Sequence, residues 1–128
     1  MKNYPVLSFF AVLALLLLTN CNDNKNQIIG QWKMELSVIN GEEQANEPAM
    51  YWTVVEDGSF WQVMRFTHGT EELSGVWTFD EEANTLLMVY TETQTEVLWA
   101  IEKLEDEFLE VTHTRPGFFV QRRFKRMS

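Results

Sequence analysis

Cysteine occurs once and histidine twice in these 128 residues, and each scarcity removes a class of chemistry. A single thiol cannot close a disulfide within the chain. Cys21 lies close to the N-terminus, which leaves no thiol in the body of the protein for nucleophilic work. His68 stands beside Gly69 and reads as a turn residue, while His113 sits near a strand end, and the two lack metal-ligand spacing. Ser37, Ser59 and Ser74 fall on strands or at a turn, without the strand-to-helix context of a nucleophile elbow. Positive charge is also scarce, with 10 Lys and Arg against 19 Asp and Glu. That balance excludes nucleic acid and bare anionic lipid as general partners. No amphipathic helical pattern stands out, and no apolar run reaches the roughly 20 residues of a membrane-spanning helix. The expectation is a protein that is not an enzyme and needs no cofactor or metal.

The first feature that is present is the apolar run from Val6 to Leu18, preceded by Lys2 and ending in Leu18-Thr19-Asn20-Cys21. It resembles a bacterial lipoprotein signal. The resemblance implies cleavage before Cys21, acylation of Cys21 by chains such as palmitate, and attachment to a membrane. Stable anchoring takes more than one acyl chain, and lipoproteins of this kind carry several. Asn22 occupies the position where an inner-membrane retention signal places Asp, so the expected location is the cell envelope, at the outer membrane. Residues 1–20 are then the signal peptide and 21–27 a lipidated tether of Asn-rich composition, with one domain over 28–128. Lys2 is the only charged residue before Cys21, so loss of the leader makes the formal charge of −9 one unit more negative.

From Ile28 the chain reads as short strands. Trp32, Met34, Leu36 and Val38 alternate with Lys33, Glu35 and Ser37, the period of a half-buried strand. Asn40-Gly41 stops it, and a polar loop follows from Glu42 to Pro48. Tyr51 to Glu56 is a second strand, and Asp57-Gly58 is a two-residue hairpin signal. Ser59 to Thr67 places Phe60, Gln62, Met64 and Phe66 on one face. Leu73, Gly75, Trp77 and Phe79 share a face of the fourth strand, which ends in the acidic turn from Asp80 to Asn84. Thr85 to Tyr90, Thr95 to Leu104, Glu107 to His113 and Phe118 to Arg126 complete about eight strands, the pattern of an all-β barrel or sandwich. The short turns favour sequential antiparallel pairing. The predicted fold is a small antiparallel up-and-down β-barrel.

Ile29-Gly30-Gln31-Trp32 at the start of the first strand is similar to the Gly-x-Trp signature of the lipocalin superfamily. The connection from Gly41 to Ala49 sits where that family carries its lid loop. Asp57-Gly58-Ser59-Phe60, followed by Gly75-Val76-Trp77, resembles the shorter lipocalin-like domains of bacterial lipoproteins. The resemblance covers about Ile28 to Arg126 and implies a calycin-type barrel. It also implies that an Arg near the C-terminus packs across the signature Trp. Arg122, flanked by Val120 and Phe124 at two-residue spacing, points inward and takes that place over Trp32 as a cation–π contact; an anion-binding Arg122 is the alternative. Gly30, Trp32 and Arg122 are thus the structural signature.

An eight-strand interior is just wide enough to be filled by side chains or to hold one small ligand. The candidate ligand-facing residues are Trp32, Met34, Trp52, Phe60, Gln62, Met64, Trp77 and Trp99. Buried without partners, Gln62 and Arg122 would each cost about 1 to 3 kcal/mol, so they meet each other, water or a ligand. Two functions survive. In one, the barrel binds or carries a small apolar molecule at the envelope, gated by the Gly41 to Ala49 loop. In the other, the barrel is packed and its surface serves as an accessory subunit or inhibitor for an envelope protein partner.

Overall fold

A computed structural model describes residues 24–45 and 48–127. Cys21 and the signal segment lie outside the described residues. Nine strands run β1 (Gly30–Ile39), β2 (Glu42–Glu43), β3 (Ala49–Val54), β4 (Ser59–Phe66), β5 (Gly69–Asp80), β6 (Thr85–Tyr90), β7 (Glu96–Leu104), β8 (Phe108–Arg115) and β9 (Phe118–Arg126). From β3 to β9 each strand pairs antiparallel with the next, and β1 pairs with both β3 and β9. The result is a closed eight-strand antiparallel barrel, with β2 as an extra short strand on β1. All eight expected strands are present, and the bounds of β6 and β9 agree with those read from the sequence. Closure leaves no open sheet edge between first and last strand. Every strand pairing of the barrel falls between Gly30 and Arg126, so a chain beginning at Asn22 carries the whole fold.

Two turns differ from expectation. Asn40 and Gly41 have φ of 51° and 83°, the paired positive values of a type I′ turn. The dipeptide therefore folds the chain back rather than only stopping it, pairing Val38 with Glu43 and Ile39 with Glu42. At Asp57-Gly58 only Gly58 has positive φ, 94°, and its N–H donates to the Val55 carbonyl at 3.1 Å. This is the longer hairpin loop, in which a type I turn is followed by a left-handed residue, not the two-residue turn.

β1 also departs from simple alternation. Trp32 pairs with Arg126 and Met34 with Phe124, but the register slips before Leu36 pairs with Arg123 and Ser37 with Arg122. Glu35 is the extra residue of a β-bulge. Past it the parity inverts: Ser37 is buried and Ile39 packs on the core, whereas Leu36 and Val38 leave the face they were expected to share with Trp32.

The barrel's two ends are unlike. At the base, residues 24–28, expected as tether and start of the domain, form one helical turn. Its Ile28 is fully buried, and the Ile28 carbonyl accepts the Trp32 Nε1 proton at 2.8 Å. From this end to the middle of the barrel, Trp52, Val54, Phe60, Leu86, Leu109 and Phe124 are 2% exposed or less. Trp52 stacks on Phe124 with ring centroids 4.1 Å apart. At the opposite end, the mouth, Ile39, Met64, Tyr90, Val97 and Phe118 are only partly buried.

Candidate functional site at the barrel mouth

Arg126, not Arg122, lies over Trp32, with its guanidinium carbon 4.2 Å from the ring centroid. The correction follows from register: closure sets Arg126 opposite Trp32 and leaves Arg122 opposite Ser37, well up the wall. Arg126 donates from Nη1 to the Ile29 carbonyl at 2.8 Å, from Nε to the Asp106 carbonyl at 2.5 Å, and from Nη2 to the Gln27 carbonyl. It latches the helical turn to the base. Gly30 pairs with Val54 at this same end. Trp77 also serves the base, donating Nε1–H to the Val55 carbonyl at 2.8 Å.

Nearer the mouth, the inward positions of β3, β4, β6, β7 and β9 bring Trp52, Gln62, Met64, Tyr90, Trp99 and Arg122 together. Gln62 is buried, and its amide oxygen accepts protons from Trp52 Nε1 at 2.9 Å and from the Tyr90 hydroxyl at 2.5 Å. Its amide nitrogen donates to the Met64 sulfur at 3.5 Å, a weak acceptor. Phe60 meets Tyr90 edge-on with centroids 5.2 Å apart. Gln62 and Arg122 do not pair with each other.

Arg122 has a different environment. Its guanidinium carbon is 5.2 Å from the Trp99 ring centroid, and Nη1 donates to the Met50 sulfur at 3.6 Å. Its Nε and the Trp99 Nε1 are both buried and have no hydrogen-bond partner among the described residues. The described ion pairs join Lys103 to Glu105 and Arg123 to Glu35 and Glu110; none includes Arg122. Burial holds the Arg122 pKa below the usual guanidinium value, opposed by Tyr90. Burial also pushes the Tyr90 hydroxyl up to about 12, opposed by Arg122. At neutral pH the pair is a neutral phenol beside a cation.

The expected ligand-facing set divides accordingly. Trp52, Gln62, Met64 and Trp99 join the mouth site, Trp32 and Trp77 belong to the base, and Phe60 lies between. Met34 lines a cleft of about 720 Å³ with Lys33, Ser37, Gln44, Ala49 and Arg123. This cleft follows the seam where β1 leaves β3 after Lys33 and takes up β2 from Val38. Gln44, from the loop expected as a lid, donates its backbone N–H to the Ser37 carbonyl at 2.8 Å. Tyr90 and Met50 were missed by sequence reasoning. Tyr90 was legible as the third apolar position of Leu86-x-Met88-x-Tyr90.

His113 contacts the Leu98 carbonyl through Nδ1 at 2.9 Å and lies 5.7 Å from the Trp99 ring. His68 stacks on Phe66 with ring centroids 5.0 Å apart. Asp80 accepts the Ala83 N–H at 3.1 Å and closes its turn. Among the described residues no three His, Cys, Asp or Glu side chains converge as metal ligands. The sequence matches no protein-family model and no curated protein. The closed eight-strand barrel is compatible with a lipocalin-like fold, and a small barrel of this kind is compatible with ligand binding.

Proposed function

We propose that this protein is a lipoprotein of the cell envelope, anchored through lipid on Cys21 at the outer membrane, whose barrel binds or carries a small apolar ligand. The observation that carries the reading is the contrast between the two ends. The base is closed by the helical turn, with Ile28 fully buried and Arg126 over Trp32, whereas among the described residues the mouth has no such cover and gathers the partly buried Ile39, Met64, Tyr90, Val97 and Phe118 around a polar cluster. Binding sites combine apolar walls with a few placed polar groups in this way. The helical turn of residues 24–28 lies at the base, so an anchor at Cys21 directs the mouth away from the membrane. The reading assigns the barrel no catalytic step.

The test is native mass spectrometry of a chain beginning at Asn22, exported behind a cleavable soluble-protein leader and purified without detergent from its host's envelope fraction, together with titration by an apolar fluorophore. A co-purifying small molecule that the fluorophore displaces, with quenching of tryptophan emission, supports the carrier reading. A clean apo mass with no fluorophore uptake overturns it. A second reading, a packed barrel working through its surface, is favoured by one observation. Trp61 and Val76, at 50% and 55% exposure, lie on the paired strands β4 and β5, and Leu98, at 51%, lies on β7 two strands further round the outer wall.

A further inference from the structure

We infer that the cleft beside β1 receives an acidic segment of a partner protein, laid as an extended strand along Met34–Ser37. The inference is independent of what fills the barrel and goes beyond the ligand-binding reading. Its first ground is an interruption in the wall. β1 pairs with β3 only from Gly30 to Lys33 and with β2 only at Val38 and Ile39, so between them no described strand lies on the β3-facing side of β1. Among the described residues one backbone bond is made there, from the Gln44 N–H to the Ser37 carbonyl at 2.8 Å. A strand edge without a neighbour is a template for another chain, whose affinity comes from main-chain hydrogen bonds to it. Space is present for that chain: the cleft of about 720 Å³ follows Met34 to Ser37, with Ala45 and Pro48 on the β3 side and Arg123 and Lys125 on the β9 side.

Charge identifies the partner. Lys33, Arg123, Lys125 and Arg126 line the cleft, four of the chain's 10 Lys and Arg, against Glu35 alone from its 19 Asp and Glu. Arg126 is engaged by backbone carbonyls and Trp32, and Arg123 meets Glu35 at 3.5 Å and Glu110 at 4.0 Å. Lys33 and Lys125 remain, with no ion pair among the described residues. They are direct cross-strand partners, both exposed, on the face away from the buried Trp32 and Phe124. Lys33 Nζ lies 6.0 Å from the Tyr51 ring centroid. Like charges set opposite each other repel, so a carboxylate placed between the two lysines relieves them. Alternate side chains of an extended peptide recur about every 7 Å, the spacing of Arg123 and Lys125 along β9. A segment with acids at every second position therefore presents carboxylates in step with these cations. The excess of carboxylates over the rest of the chain repels the same segment elsewhere.

The experiment follows the fluorescence anisotropy of a dye-labelled octapeptide of alternating Glu and Val, both ends blocked, added to the chain beginning at Asn22 at low ionic strength. Binding is expected, and it should weaken about fivefold or more when Gln replaces Glu in the peptide. Lys33→Gln combined with Lys125→Gln should weaken the Glu peptide to a similar degree and leave the Gln peptide unchanged. Glu35→Gln, which frees Arg123, should tighten the Glu peptide about twofold. Arg115→Gln removes a cation on the β8–β9 hairpin, outside the cleft lining, and should have little effect. N-methylation of every second residue removes the N–H groups of one peptide edge, so one of the two alternately methylated peptides should lose binding. Absence of binding, a Gln peptide that binds as well as the Glu peptide, or indifference to the lysine variants overturns the inference. Equal binding of the two methylated peptides overturns the strand geometry. Displacement by inorganic phosphate or by phosphatidylglycerol vesicles as effective, per negative charge, as displacement by unlabelled peptide makes the cations a general anion site and overturns the peptide. The fluorophore titration at the mouth is decided separately from all of these.

Discussion

Arg122 and Arg126 share a strand and a face, yet their surroundings make them opposite residues. Arg126 fastens the helical turn to the barrel wall, so Arg126→Met should destabilise by about 2–4 kcal/mol through lost charge-assisted bonds to carbonyls and the lost contact with Trp32. Arg122→Met should be neutral or stabilising, because a partly buried cation with no carboxylate paired to it among the described residues is replaced by an apolar chain of similar length. Urea denaturation of the two variants gives the comparison directly. Tyr90 supplies a pH signature. Its hydroxyl titrates at about 12 in the fold against an ordinary value of 10.0, because burial disfavours the phenolate. A raised pKa means a contribution intact below pH 10 and lost as pH climbs toward 12, up to about 2–3 kcal/mol. Tyr90→Phe should therefore cost about 1 kcal/mol at pH 8, from the bond to Gln62, and that deficit should narrow or reverse by pH 11.5. Denaturant titrations at the two pH values measure it.

Among the elements, β5 and β1 carry the constraints least open to substitution. Gly75 sits where a Cβ would lie 2.0 Å from the Val89 carbonyl oxygen and 2.8 Å from the Phe60 ring. Phe60 lies over the bare backbone, and the β5–β6 ladder closes tightly beside it. Gly75→Ala should destabilise by about 3 kcal/mol, since the oxygen belongs to the ladder and cannot move aside as a side chain would. Loss of melting temperature in circular dichroism reads it out. The Gly75-Val76-Trp77 segment was visible as a motif in the sequence, but the reason for its glycine was not, because that reason lies on β4 and β6. The same holds for β1. Alternation from Trp32 to Val38 reads perfectly as one face, and the strand itself was legible. The extra residue at Glu35 was not, since a bulge is defined only against its partner β9. The inward direction of Arg122 could be read from Val120 and Phe124 beside it. Which arginine meets Trp32 could not, because it depends on a register between the two ends of the chain. Local period, in short, reports faces; contacts across the closure report function.

For the whole molecule, the governing feature is the pairing of β1 with β9. It seals the base, sets Arg126 on Trp32, and leaves Arg122 facing inward near the mouth. It also brings the first and last parts of the barrel domain together: the Met127 N–H donates to the Gln31 carbonyl at 2.7 Å, and Arg126 binds the carbonyls of Gln27 and Ile29. A ring of strands that each pair with their sequence neighbours has no privileged starting point. Joining Met127 to the helical turn by a short flexible linker and opening the exposed turn at Glu81–Ala83 keeps every registered pair of the barrel. Such a circular permutant should retain the β-sheet spectrum and unfold in one cooperative step; a broad, multistep melt would mean that the native order of synthesis matters. The chain's linear order is then one of several equivalent readings of a cyclic structure.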